Sequence, residues 1–264
     1  MISKSLIKLI KSLKYKKFRE LNGLFVAEGE KIINDLMAAS ADASSLFIIH
    51  SILGTSGWMV NHKIPPGKDY AFIEINEEDL KRISLLTTPN KVLALVKMPD
   101  YSLEENFAKD NLSLVLDDIQ DPGNLGTIIR IAHWFGINNI ICSENSADLY
   151  NPKTVQSTMG SLWSVKVFYR ELKQFLRHYF ENTDVPVIGT FLSGSNIYTM
   201  PAVKSGLIVL GNEAHGISQE LEPYIRSRIC IPPFSEKHKP DSINVAQAAA
   251  IICSEFRRNQ LLRQ

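Results

Sequence analysis

The sequence predicts an α/β protein of two domains, the second built on a parallel sheet. Short strands rich in Val, Ile and Leu alternate with helical patterns along the chain, the mark of a sheet covered on both faces. A polar stretch, "PDYSLEENFAKDN" (99–111), interrupts that alternation. At 264 residues the chain is long enough for two separate cores. The expected division is residues 1–98, a linker over 99–111, and a second domain over 112–264.

Within the first domain, Ile7, Ile10 and Leu13 recur at helical spacing among lysines and predict an amphipathic helix over 3–17. "GLFVAEG" (23–29) reads as a strand leading into a helix that runs to about Ala39. "SLFIIHS" (45–51) and "YAFIEI" (70–75) read as buried strands. Asn76 then caps a helix to about Ile83, with Asp79 completing a capping-box pattern, and "KVLALVKMP" (91–99) is the last strand.

The second domain opens with the apolar strand "LSLVL" (112–116) and a turn rich in special residues, followed by a helix to Phe135. The strand "INNIIC", a helix near 152–159, the strand "SVKVFY" and a helix over 171–180 come next. "VPVIGTF" (185–191), "GLIVL" and "SRICIP" are strands, and a final helix is expected from about Ser242 to Leu262.

Composition excludes several classes. The net charge of +1 gives no global polyanion-binding signature. The distribution is uneven, however: residues 1–19 carry seven basic side chains and no acidic one. That block suits either contact with phosphates or a solvated helix face. Lys14, Lys16, Lys17 and Arg19 are its candidate phosphate contacts. Three scattered cysteines and six unclustered histidines give neither a disulfide frame nor a metal site. No apolar run approaches a membrane span and no apolar signal sequence opens the chain, so a cytoplasmic protein is expected.

Ligands of parallel α/β sheets bind at the carboxyl ends of the strands, and three such ends carry unusual sequence. "DPGNLGTIIR" combines Gly123 and Gly126, which permit close backbone approach, with Asn124 and Arg130. It is not a dinucleotide fingerprint. "LGNEAHGIS" (210–218) places Glu213 between two glycines, where it can accept from a ligand or orient Arg130. In "CIPPFSEKHKPDSINVAQAAA", Ser242 is the expected helix cap, and Ala246 and Ala248 to Ala250 allow close packing. Asn244 is a weak helix former, which hints at a side-chain task.

In this order, the segments resemble the SpoU (TrmH) family of RNA 2′-O-ribose methyltransferases. The family's motifs stand here as Asn124-Leu-Gly126-Thr-Ile-Ile-Arg130, Gly211-Asn-Glu213-Ala-His-Gly216, and Ile231-Pro232 with Ser242-Ile-Asn244-Val245. The N-terminal "YKKFRELNGLFVAEGEKII" (15–33) is similar to the family's L30e-like RNA-binding domain. The resemblance implies an S-adenosylmethionine-dependent enzyme acting on ribosomal or transfer RNA, without a metal. It also implies a deep trefoil knot in the catalytic domain and a homodimer formed through that domain. Arg130, Asn124, Glu213, Ser242 and Asn244 would form the catalytic set. Thr190, Leu210, Gly211, Ile231 and Ile243 would hold the cofactor, with a Cβ at Gly211 expected to clash with it. The third motif departs from the family pattern: nine residues (233–241) without a glycine separate Pro232 from Ser242.

Arginine stays protonated in proteins, and lowering its affinity for the proton by roughly five pH units would cost about 7 kcal/mol. A fixed guanidinium donor needs no such shift, and that is the role expected of Arg130. Two rival readings stand beside this one: an inert RNA-binding member of the same fold, and an unrelated nucleotide-dependent α/β enzyme.

Overall fold

The structure is a computed structural model that describes residues 2–42, 45–63, 70–201, 203–235 and 241–261. The first stretch of chain forms α1 (Lys4–Ser12), α2 (Lys16–Asn22), β1 (Leu24–Glu28), α3 (Glu30–Ala41), β2 (Ile49–Gly54), α4 (Ser56–Met59), β3 (Ala71–Glu74), α5 (Glu77–Ile83) and β4 (Val92–Lys97). Then follow β5 (Leu112–Leu116), α6 (Pro122–Trp134), β6 (Asn139–Ser143), α7 (Pro152–Thr158) and β7 (Lys166–Arg170). The chain continues with α8 (Leu172–Asn182), β8 (Val187–Asn196), β9 (Gly206–Leu210), β10 (Ser227–Cys230) and α9 (Val245–Leu261). Two compact units result: Met1–Ser102 with Asp148–Trp163, and Leu103–Ala147 with Ser164–Gln264.

The first unit is a mixed sheet ordered β1-β4-β2-β3, with β4 antiparallel to β1 and β2, and β3 parallel to β2. Alternation along β1 divides its side chains between two faces. Leu24 and Val26 join Ile10, Leu13, Leu53, Leu80, Ile83 and Leu93 in one core. Phe25 instead meets Tyr150 at 4.5 Å between ring centroids, on a segment expected to belong to the second domain. Trp163 donates its indole N–H to the Ile32 carbonyl at 3.1 Å, which fixes the end of that segment.

The expected helix over 3–17 is divided, and the reason is Arg19. Its guanidinium donates to the carbonyls of Leu13 (2.8 Å) and Lys14 (2.9 Å), the groups left open where α1 ends. Gly23, at φ +61°, then closes α2 in a left-handed conformation that L side chains rarely adopt. Asn76 caps α5 as expected, accepting from the Asp79 amide at 2.7 Å. Asp79 does not complete the box, because its carboxylate accepts from Ile2 N and Arg82 instead. β2 starts at Ile49, four residues later than the expected strand, although Phe47 is already buried and the Ile48 carbonyl already accepts from the Lys97 amide of β4 at 2.9 Å.

The second unit is a wholly parallel sheet ordered β10-β8-β9-β5-β6-β7. β5 and β9 are buried at every position, as their unbroken apolar sequences require. The stretch expected to be a linker is more than a connection: Phe107 and Ala108 are buried against Leu172, Leu176 and Tyr179. α9 starts at Val245, three residues after the expected boundary. Its Ala246 and Ala249 are buried, and its Arg257 donates to the carbonyls of Phe135 and Gly136 at the end of α6. Cys142 and Cys253 are buried thiols, and burial raises the Cys253 pKa to about 12.

Candidate active site

The three unusual segments follow β5, β9 and β10, strands of one sheet running in one direction, and side-chain hydrogen bonds join them. Asp121 caps α6 by accepting from the Asn124 amide at 2.9 Å, with Pro122 in the first turn where its missing N–H costs nothing. The Asn124 side chain is thereby held at the helix start. Its Nδ2 donates to Glu213 Oε1 at 2.5 Å, and its Oδ1 accepts from Asn244 Nδ2 at 3.0 Å. Asn244 Oδ1 in turn accepts from the amides of Ala246 (2.9 Å) and Gln247 (3.4 Å).

This chain of bonds fixes its own amide orientations. A carboxylate only accepts, so Asn124 must present its NH2 to Glu213 and its oxygen to Asn244. Asn244 must then turn its own oxygen to the start of α9. Asn244 therefore caps α9 in place of the expected Ser242, which is exposed and two residues too early to reach the first open amides. The weak helix former has the anticipated task, and its amide does two jobs.

The loop after β9 is rigid by construction. Asn212 and Gly216 exchange backbone hydrogen bonds of 3.0 and 2.9 Å, and Asn212 Oδ1 accepts from the Ala214 amide at 2.8 Å. A Cβ at Gly211 would collide with the backbone of Gly216 and Ile217. The steric need for glycine thus arises within the loop itself, where the sequence had suggested a cofactor. Two further bonds fasten this loop to the end of β5: Asn212 Nδ2 to the Asp118 carbonyl (2.8 Å) and the Ser218 amide to the Asp117 carboxylate (2.7 Å). Asp117, Asp118 and Asn212 were missed as site-building residues. The signal for them was the acidic pair placed directly after a pure apolar strand, "LSLVLDD".

Arg130 lies on the same helix as Asn124 but is exposed, with no hydrogen-bond or ion-pair partner among the described residues. At roughly 100° per residue, it shares a face with Gly123 and Thr127, while Asn124 is turned toward Glu213 and Asn244. Glu213 therefore orients Asn124, and the sequence-level alternative in which it orients Arg130 is not observed. His215 is exposed, and its backbone amide reaches Asn212 Oδ1 at 3.3 Å.

Of the expected cofactor contacts, Leu210 is buried, Ile231 and Thr190 are half-buried, and Ile243 is exposed. The register of β10 against β8 jumps from Gly189 to Ser195, and β9 pairs with β8 only as far as Gly189. Thr190 to Ser193 thus have no ladder partner on either side. The departing loop 233–241 lies in part (236–240) outside the described residues.

The expected RNA contacts lie in the first unit. Lys14, Lys16 and Lys17 are exposed, and Lys16 approaches Glu20 at 3.9 Å. Arg19 does not belong with them. It is 2% exposed and pairs with Asp148 at 2.9 Å, so its guanidinium is enclosed by protein and cannot reach a phosphate.

Comparison with known proteins agrees with this architecture. Residues 111–254 match the model of the SpoU rRNA Methylase family, and residues 4–94 match that of the MRM3-like substrate binding domain. The 23S rRNA (guanosine(2553)-2′-O)-methyltransferase RlmP of Bacillus subtilis is 28% identical over 94% of both chains. A solved TrmH-family structure from Porphyromonas gingivalis superposes with a TM-score of 0.85 at 35% identity, covering 98% of this chain and 99% of that one. An AdoMet-bound rRNA methyltransferase from Sinorhizobium meliloti superposes at 0.81 and 27% identity, covering 98% and 96%. With its three motifs drawn together at one edge of a parallel sheet, the chain belongs to the SpoU rRNA methylase family.

Proposed function

We propose that this protein transfers the methyl group of S-adenosylmethionine to a ribose 2′-hydroxyl of ribosomal RNA. One observation carries the reading. The Glu213–Asn124–Asn244 chain joins the three motif segments and leaves the Arg130 guanidinium open for a ligand. The names of the curated relatives favour ribosomal over transfer RNA.

The residues present fit the cofactor. The backbone of Thr190 to Ser193 has no paired residue in β9 or β10, which suits a cofactor laid against this part of β8. Leu192 and Ile243 offer exposed apolar surface for an adenosine at 79% and 44% exposure. Thr190, Leu210, Gly211, Ile231 and Ile243 would hold it. When bound, S-adenosylmethionine supplies an electrophilic methyl group. The protein's task is then to orient the ribose and stabilise negative charge as it develops on the 2′-oxygen. Arg130 suits that task, since a planar guanidinium offers several donors in fixed geometry. Asn124, Glu213 and Asn244 act by position, because their polar groups already bind one another. Ser242 lies two residues before Asn244 and is exposed, which suits contact with substrate.

Further features of the family extend the reading. The strand order supports a trefoil knot: the chain steps inward from β8 to β9, returns past β8 to β10, and comes back through α9 onto α6. Trp134, 84% exposed at the end of α6, supports a homodimer through this unit. The mixed sheet and exposed lysines of the first unit support an L30e-like RNA-binding role for about residues 1–98, with the methyltransferase domain over 112–264. No described helix is long and apolar enough to cross a membrane, which agrees with a cytoplasmic site of action.

The test is methyl transfer from labelled S-adenosylmethionine to unmodified ribosomal RNA, followed by nucleoside analysis. Label on a ribose 2′-oxygen is the expected result. Cofactor and RNA binding without transfer would favour the inert RNA-binding alternative, and label on a base would overturn the assignment of the reaction.

A further inference from the structure

We infer that the turn between α1 and α2, together with the first turn of α2, reads unpaired RNA bases by stacking, with Tyr15 and Phe18 as the platforms. This rests on the RNA substrate proposed above and adds which form of RNA is recognised and by which side chains. Tyr15, Phe18 and Leu21 are 62%, 39% and 75% exposed, within seven residues of one another. Neither aromatic ring has a ring contact among the described residues. Around them stand the exposed lysines Lys14, Lys16 and Lys17, in a stretch with no acidic residue before Glu20.

The turn is also held in shape. Beneath it, the buried Arg19 binds the carbonyls of Leu13 and Lys14 and pairs with Asp148 in the same unit, while Gly23 ends α2 in its left-handed conformation. Rings on such a support lose little freedom when a base settles on them. Cations alone would serve a duplex, whose base faces are hidden in the stack. Exposed rings among cations match single-stranded or looped RNA, where base faces are open and the backbone is anionic. The charge block selects a polyanion over an apolar protein partner.

Binding of the full-length protein to a labelled oligouridine and to a short RNA duplex, each across a salt series, tests this. Tyr15→Ala and Phe18→Ala should each weaken oligouridine binding by about five- to a hundred-fold. Their salt slopes and cofactor affinity should stay unchanged. Tyr15→Trp and Phe18→Tyr should keep the affinity. Replacing Lys14, Lys16 and Lys17 with Gln should instead flatten the slope, by roughly 0.7 log units per lost contact on a single strand. Wild-type protein that binds the duplex as tightly as the single strand, or fails to bind the single strand, overturns the inference. So do alanine variants of unchanged affinity, or variants altered only in oligomeric state. Methyl transfer by wild-type protein to ribosomal RNA is a separate readout, so failure of the stacking idea leaves the enzymatic reading standing.

Discussion

The amide of Asn124 donates to the carboxylate of Glu213 across 2.5 Å, and this bond ties the first turn of α6 to the loop after β9. Charge-assisted bonds of this kind are about twice as strong as neutral ones. Glu213→Gln keeps an acceptor and should cost activity only a few-fold. Asn124→Asp places two carboxylates face to face and removes the Nδ2 donor to Glu213. It should lower methyl transfer by at least about tenfold and weaken cofactor binding, because the segments proposed to carry the cofactor contacts separate. Equal activity of these two variants in a steady-state assay would mean that the network does not position the site.

The Gly211 loop gives a second expectation. A side chain there meets the backbone of Gly216 and Ile217, so Gly211→Val should disrupt the loop before any ligand arrives. Its melting temperature should fall well below that of wild type in the absence of cofactor, since overpacking of this kind typically costs about 1–3 kcal/mol. A Gly211→Val protein of wild-type stability that has lost only cofactor affinity would restore the cofactor as the source of the clash.

Arg19 and its lysine neighbours separate in the same way. Removing one partner of a buried ion pair leaves the other uncompensated, at a typical cost of about 3–5 kcal/mol. Asp148 keeps some solvent contact, which places Arg19→Ala toward the lower end of that range. Urea denaturation should register the loss, whereas Gln at Lys14, Lys16 and Lys17 should leave the midpoint unchanged. A stable Arg19→Ala protein would contradict the clamp.

Glu28 makes the first unit sensitive to pH. Burial raises its pKa above the ordinary 4.5, although hydrogen bonds from the Leu85 amide (2.6 Å) and Ser84 hydroxyl (2.7 Å) oppose the shift. A raised folded-state value means that the protonated form is favoured by folding. The resulting stability is present below the unfolded value and lost as pH rises through the folded one. Wild type should therefore lose stability relative to Glu28→Gln as pH rises above the ordinary 4.5, by urea midpoints. A wild-type advantage that grows with pH would show the two hydrogen bonds outweighing burial.

Much of this was legible in the sequence because strong local patterns met few competitors. Apolar runs such as "LSLVL" and "GLIVL" permit little besides buried parallel strands, and the motif residues fall where strand ends place them. What could not be read depends on partners distant in sequence. The break after α1 is set by Arg19 through carbonyls of the preceding turn, and its burial by Asp148, 129 positions away. The docking of the 148–163 segment on the first unit depends on ring contacts that no periodicity encodes. Ser242 looked like the cap because serine before a helix is common, while the true cap was chosen by the reach of Asn244 to Asn124.

The central claim is that Arg130 supplies the aligned donor for the reacting ribose. Single-turnover methyl transfer to unmodified ribosomal RNA, measured for wild type, Arg130→Ala and Arg130→Lys, tests it most directly. Arg130→Ala should be slower by about a hundredfold or more, the usual cost of losing one aligned donor. Arg130→Lys should remain badly impaired, because lysine keeps the charge and loses the planar fork. Folding and cofactor affinity should be unchanged in both. Near-normal single-turnover rates for Arg130→Ala would contradict the account.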